Sequence, residues 1–297
     1  MKNILYYIFG LFIIASCTPN QDENGDLLKG VDYDTTTNTG SSNGGSTVNK
    51  LLKKATVDDD GDVTIYTYLY DTNKRLTSIT TDNNSIKINI TYQSSGNISK
   101  IVRTDNSSGQ IETEEIVPTY TNNQITKLNV VHTESSGSIK SVANLTYASN
   151  GWPSAVNEDI YSEDNTKVVA NFVSNFSYTG NNISKWHFKS SFKVGLPVPV
   201  FDFLQEMELT VNLSDYDSKI NPYNLLPKDY LISTIHAEAD VSSITGFAKN
   251  NSKKANVVFV LSGTPFADNQ TMSYTYDKDG YPTSVSSTDI LTKFEYQ

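Results

Sequence analysis

From Lys50 to the end of the chain, apolar and polar residues alternate with a period of two. The alternation is plain in Tyr66, Tyr68, Tyr70, in Ile86, Ile88, Ile90, Tyr92, and in Met207, Leu209, Val211, Leu213, with Thr, Asn, Lys or Glu between them. A strand of this kind has one face in the core and one in water. Between the runs recur Asp60-Gly61, Asn83-Asn84, Ser95-Gly96, Asn122-Asn123, Asn150-Gly151, Asn181-Asn182 and Asp279-Gly280. These pairs tolerate the positive φ of tight hairpin turns, so consecutive strands are expected to pair antiparallel. No stretch after residue 50 keeps a helical period for three turns, and the proline-marked region Val194 to Pro227 has room for at most one short helix. The pattern predicts an all-β domain over 50–297. It is an antiparallel meander of many short strands in serial hairpins, one large curled or barrel-like sheet, water-soluble.

The N-terminus follows a different pattern. After Lys2, Ile4 to Ile14 form an apolar stretch broken by Gly10, too short for a permanent membrane helix and the right length for a signal-peptide core. It ends in Ile14-Ala15-Ser16-Cys17, which resembles the bacterial lipobox. That resemblance implies cleavage after residue 16 and acyl chains, palmitate among them, on Cys17. Each buried methylene of such chains adds about 0.8 kcal/mol, enough in sum for stable membrane attachment. Residues 17–49 are rich in Asn, Asp, Thr, Ser and Gly and carry only four aliphatic residues after the cysteine, Leu27, Leu28, Val31 and Val48; they read as a flexible linker. The acidic run Gln21, Asp22, Glu23, Asp26 resembles the signal that sends Bacteroidetes lipoproteins to the outer face of the outer membrane, and an ordinary acidic linker has the same composition.

A repeat underlies the alternation. Tyrosine, a polar turn, then an aliphatic residue or proline followed three positions later by another apolar residue recurs six times: Tyr70…Leu76, Ile79; Tyr92…Ile98, Ile101; Tyr120…Ile125, Leu128; Tyr147…Pro153, Val156; Tyr178…Ile183, Trp186; Tyr276…Pro282, Val285. Each unit reads as one hairpin, and hairpins in series bury one another's faces. Tyr70-Asp71 through Ile79, and Tyr274-Thr275-Tyr276-Asp277 through Val285, resemble the YD repeats of RHS-type β-shell proteins. With its lipobox, Tyr216 to Tyr223 and the closing Tyr-Asp-x-Asp-Gly-Tyr-Pro, the chain is similar to a family of Bacteroidetes outer-membrane lipoproteins ascribed a porin-like β fold. These motifs are turn chemistry, so they imply architecture and carry no activity. A spanning barrel needs apolar outward positions over about 9 to 11 residues in strand after strand. Here one face of the strands is Asn, Lys, Thr and Ser.

Charge and candidate chemistry narrow the function. The formal charge is -10, and losing residues 1–16 removes Lys2 and no acid. Clustered basic residues for a phosphate backbone are lacking, which sets nucleic acid aside. With the single cysteine lipidated, neither a disulfide nor a thiolate metal site can form. Gly40 to Gly44 matches G-x-S-x-G but lies in the linker, where no strand turns into a helix. Asp58, Asp60 and Asp62 have calcium-loop spacing, yet Val63 and Leu69 stand where the glycine and the bidentate glutamate belong. His132, His187 and His236 lie apart, with no second histidine at i+2 or i+4; His187, between Trp186 and Phe188, is expected to face water. Carboxylate pairs such as Glu114-Glu115 and Glu206-Glu208 read as solvated strand faces. No catalytic residue, metal site or cofactor is predicted.

Aromatics are the remaining lead. The repeat places most of the 18 tyrosines at strand ends, with rings packed inward and hydroxyls reaching water. Trp152 and Trp186, the only tryptophans, are candidate ligand or partner contacts, and Trp152, in a turn before Pro153, is the more exposed of the two. Gly195 to Phe201 is the most apolar non-strand stretch. Pro197 and Pro199 bar it from a central strand, so Phe201 and Phe203 either cap an open end of the sheet or meet a partner. The expectation is a non-catalytic binding or structural lipoprotein on the outer-membrane surface of a Bacteroidetes-type bacterium. It is held to the membrane by its lipid and open to a glycan or protein partner. A carrier of an apolar ligand or a glycan-capture accessory protein is the alternative, and a hydrolase stands last.

Overall fold

A computed structural model describes residues 50–135, 137–162, 164–193, 206–236, 244–261, 263–288 and 290–297. Cys17, Phe201, Phe203 and the rest of residues 194–205 lie outside the described residues. Seventeen strands form one antiparallel sheet. The first nine are β1 (Leu52–Asp59), β2 (Asp62–Tyr70), β3 (Leu76–Thr81), β4 (Ile86–Tyr92), β5 (Ile98–Asp105), β6 (Glu112–Thr121), β7 (Gln124–Glu134), β8 (Gly137–Tyr147) and β9 (Pro153–Tyr161). The others are β10 (Val168–Thr179), β11 (Asn182–Phe192), β12 (Glu206–Tyr216), β13 (Ser252–Leu261), β14 (Thr264–Thr271), β15 (Ser273–Tyr276), β16 (Pro282–Ser286) and β17 (Ile290–Tyr296).

The meander curls round until β1, already paired with β2, also pairs with β17, giving a nearly closed barrel. Whether the sheet closes was open in the sequence. An all-antiparallel ring needs an even number of positions, and here β14 and β15 are two pieces of one run through Met272, β14 pairing with β13 and β15 with β16.

The repeat acquires a mechanism at one rim, the one that holds Lys50, Gln297 and the β2–β3, β4–β5, β6–β7, β8–β9 and β10–β11 turns. Where two strands start to separate there, a carbonyl at or next to the start of the earlier strand lies two residues before the first ladder pair. It accepts a hydrogen bond from a tyrosine hydroxyl near the end of the later strand instead. Tyr70 donates to Leu52 O at 2.9 Å, Tyr92 to Leu76 O at 2.7 Å, Tyr147 to Ile125 O at 2.5 Å and Tyr178 to Pro153 O at 2.8 Å. Tyr274 donates to Ser252 O at 3.1 Å, Tyr296 to Pro282 O at 2.7 Å, and Tyr216 to Ile183 O. The ladders begin at Lys54, Ser78, Lys127, Ala155, Lys185, Lys254 and Ser284, two residues after the respective carbonyls. On its other side each repeat tyrosine sits at a register slip, so that Tyr70 faces Leu76 and Tyr178 faces Ile183.

The expectation that these hydroxyls reach water is therefore corrected. A buried backbone carbonyl is costly to leave unpaired, and the phenol satisfies it. Burial pushes these phenols up, that of Tyr92 to about 12. The aspartate that follows the tyrosine pins the turn. Asp71 Oδ1 accepts the Asn73 and Arg75 amides at 2.9 Å, and Asp277 Oδ1 accepts those of Asp279 and Tyr281 at 2.9 Å.

The two faces of the wall have opposite character. Inward, Ile90, Ile101, Ile116 and Val130 form one cross-strand row, each 1–4% exposed. Outward, the next row is Asn89, Val102, Glu115, Val131 and Lys140. Lys100–Glu115 (3.2 Å) and Lys189–Glu208 (3.1 Å) ion pairs and an Asn212–Asn256–Asn269 ladder mark the outside. A membrane barrel has the reverse polarity, since a Lys or Arg turned to lipid at midplane costs about 2 to 4 kcal/mol.

Candidate functional site inside the barrel

Between Tyr216 and Ser252 the chain leaves the wall at the tyrosine rim, enters the barrel and returns, described at 217–236 and 244–251. Asparagines brace its two arms at the entrance. Asn221 Nδ2 donates to Thr245 O (2.7 Å) and Ala248 O (2.9 Å), and Asn224 Nδ2 to Gly246 O (2.9 Å). A 3₁₀ turn, Tyr223–Leu225, precedes a short α-helix, α1 (Lys228–Ser233). The helix starts just past the region where a short helix was expected. Pro227 at its N-cap lacks the donor a helix start leaves orphaned, so proline opens the helix that it would interrupt elsewhere.

This insertion fills the barrel. Leu231, Ile235, Ile244 and Phe247 are at most 2% exposed. Tyr120 at the tyrosine rim donates to Asp229 at 3.2 Å, and deeper in, His236 Nε2 lies 3.4 Å from Glu114 Oε1. Trp152 lies across the entrance, half-buried. Its ring stacks on Phe247 at 5.0 Å and 25°, and the Lys228 ammonium sits 4.9 Å from its centroid. Trp186 is 3% exposed, and its indole N–H donates to Ser174 Oγ at 3.1 Å. Of the two candidate tryptophans, then, one closes over the insertion and the other belongs to the wall's inner face. His187, beside Trp186, points outward toward Glu208 at 3.8 Å.

A cavity of about 140 Å3 remains between the insertion and the wall, lined by Asn221, Tyr223, Asn251, Met272, Tyr274 and Phe294 among others. Pockets for drug-sized ligands run from about 300 Å3 upward.

Toward the opposite rim the inner face turns from apolar to charged. Next to the isoleucine row lie Ile88, Arg103, Glu114, His132 and Ile139, in register across five strands. Asp105, Glu112 and Glu134 follow nearer the rim. Arg103 binds Asp105 at 3.0 Å, and Ser141 donates to the buried Glu158. Burial pushes the Glu114 carboxyl up. His236, Arg103 and His132 together pull harder, and the net lies below the ordinary glutamate value. His132 Nε2 is 3.1 Å from Glu134 Oε1, and Glu112, His132 and Glu134 each offer a ligand atom within 4.8 Å of the others. Sequence reading missed this group because it sought histidine pairs. The signal available was His132-x-Glu134, which puts both side chains on one strand face; Glu112 joins them only through the register.

These features define a class, a filled antiparallel barrel with a polar wall. The solved structures it resembles include a porin-like protein from Bacteroides vulgatus ATCC 8482, 7% identical, with a TM-score of 0.53 over 84% of this chain and 99% of that one. A porin-like protein from Bacteroides uniformis ATCC 8492 is 13% identical, with a TM-score of 0.50 over 83% of this chain and 96% of that one. The likeness is one of fold. No protein-family model matches this chain, and no curated protein sequence does.

Proposed function

We propose that this chain is a lipid-anchored, non-catalytic barrel at the outer-membrane surface of a Bacteroidetes-type bacterium, a binding or structural module that engages a glycan or protein partner through its rims and polar outer wall. The observation that carries this reading is the interior filled by α1 and Phe247 behind an outer wall of Lys, Asn, Thr and Glu. A pore needs an open lumen and an apolar belt. The porin-like neighbours support the architecture, and the Ile14-Ala15-Ser16-Cys17 sequence supports the anchor. The small cavity disfavours a carrier of a large apolar ligand. The buried carboxylates have histidine, arginine or serine partners instead of facing each other across a cleft, which disfavours a glycosidase.

Cys17→Ala is expected to release the protein from the membrane fraction after a high-salt wash, and protease added to intact cells is expected to cut the wild type. Purified protein added to planar bilayers is expected to give no conductance steps. Retention of the mutant in membranes overturns the anchor, protection from protease overturns surface display, and conductance overturns the filled module.

A further inference from the structure

We propose that Glu112, His132 and Glu134 form a binding site for a divalent transition-metal ion of the zinc type inside the acidic rim. The three side chains stand on the inner face of β6 and β7, Glu112 and Glu134 just past the Thr113–Thr133 pair and His132 one position before it, so the ladder fixes their spacing. Their ligand atoms lie within 4.8 Å of one another, and His132 Nε2 is already 3.1 Å from Glu134 Oε1. A zinc ion with ligands at about 2.0 to 2.2 Å asks only for small rotamer adjustments from there.

The donor set selects the ion. One imidazole nitrogen and two carboxylates suit zinc, whereas calcium and magnesium take oxygen alone. All three residues are half-buried, which leaves room for water as a further ligand.

The surroundings differ from the rest of the inner face. Further along the same strands the inward positions are Ile116, Ile125, Leu128 and Val130, each at most 4% exposed. On these two strands the charged inward side chains, Glu112, Glu114, His132 and Glu134, gather at this end. Glu114, 6% exposed, lies directly opposite His132 in the ladder and takes His236 from the insertion on its other side.

The test uses the full-length protein in detergent, stripped with chelator and titrated with Zn2+ against a competing chromophoric chelator. One zinc per chain is expected for the wild type, and affinity is expected to fall by more than about tenfold in His132→Ala, Glu112→Gln and Glu134→Gln. His187→Ala, on the outer wall, is expected to bind as the wild type does. Zinc is expected to raise the wild-type melting temperature and leave that of the three variants in place. Circular dichroism checks folding, and if His132→Ala misfolds, the near-isosteric Glu134→Gln carries the test. Absence of wild-type binding, affinity unchanged in the folded variants, binding lost in His187→Ala, or displacement of zinc by equimolar Ca2+ or Mg2+ each overturns the proposal.

Discussion

The two rims of the barrel are built from the same hairpins and solve different problems. At the tyrosine rim the ladders end two residues short, and phenols from neighbouring strands cover the exposed carbonyls. Lys50, Arg75, Lys219 and Lys228 then sit 4.6–5.9 Å from the centroids of Tyr281, Tyr92, Tyr276 and Trp152. At the other rim the β1–β2 hairpin carries Asp58, Asp59, Asp60 and Asp62, and the inner face carries Asp105, Glu112 and Glu134. One end is closed by side chain-to-backbone bonds and the inserted segment, while the other collects charge. Rigidity and binding chemistry are thus separated along the barrel axis, an arrangement in which a stable scaffold positions a site that can vary.

The largest expected effect tests where the stability resides. Ile183→Ala, at a position 0% exposed beside the tyrosine rim, is expected to cost roughly 2 to 5 kcal/mol. Ile111→Ala, 67% exposed in the β5–β6 turn at the acidic rim, is expected to stay within about 0.5 kcal/mol. Denaturant midpoints measure both, and equal losses would erase the contrast. A smaller effect isolates one hydroxyl. Tyr178→Phe leaves the Pro153 carbonyl without its donor, an expected loss of about 1 to 3 kcal/mol, whereas Tyr161→Phe at the far end of β9 is expected to be near neutral.

The third prediction concerns pH. Folded-state phenol values raised above the unfolded 10.0 mean that the folded state holds its protons longer. The stability so contributed is complete below pH 10 and lost as pH rises from there toward and through about 12, the value at Tyr92. Tyrosinate absorbance of the native protein is therefore expected to lag that of the unfolded chain and to rise with alkaline unfolding. Normal titration of every tyrosine near pH 10 in a folded barrel would show that the hydroxyls are not held as described.

Much of the architecture was legible because alternation and turn pairs are local. The spacing from Tyr70 to Leu76 and from Tyr178 to Ile183 marked each hairpin, and alternation placed His187 outside and Trp186 inside. The partners of the tyrosine hydroxyls were not legible, because a backbone carbonyl one strand back has no residue signature. Nor was the insertion. Residues 217–251 break the strand rhythm as any long loop does, and only packing shows that Leu231 and Phe247 lie inside the barrel. Glu112 stayed hidden for a third reason, since its nearness to His132 depends on register set by the neighbouring strands.

The pairing of β1 with β17 also bears on how the chain folds. Leu51 and Gln297 exchange backbone hydrogen bonds of 2.9 and 3.0 Å, and Lys50 reaches Asp277 at 2.7 Å. The barrel's first strand is therefore completed by its seventeenth. Hairpins can form as they emerge, but closure pays the loop entropy of the whole domain, which slows the final step. Until then β1 and β16 present bare edges that other chains can pair with, so a chain stalled before Ile290 is an aggregation hazard.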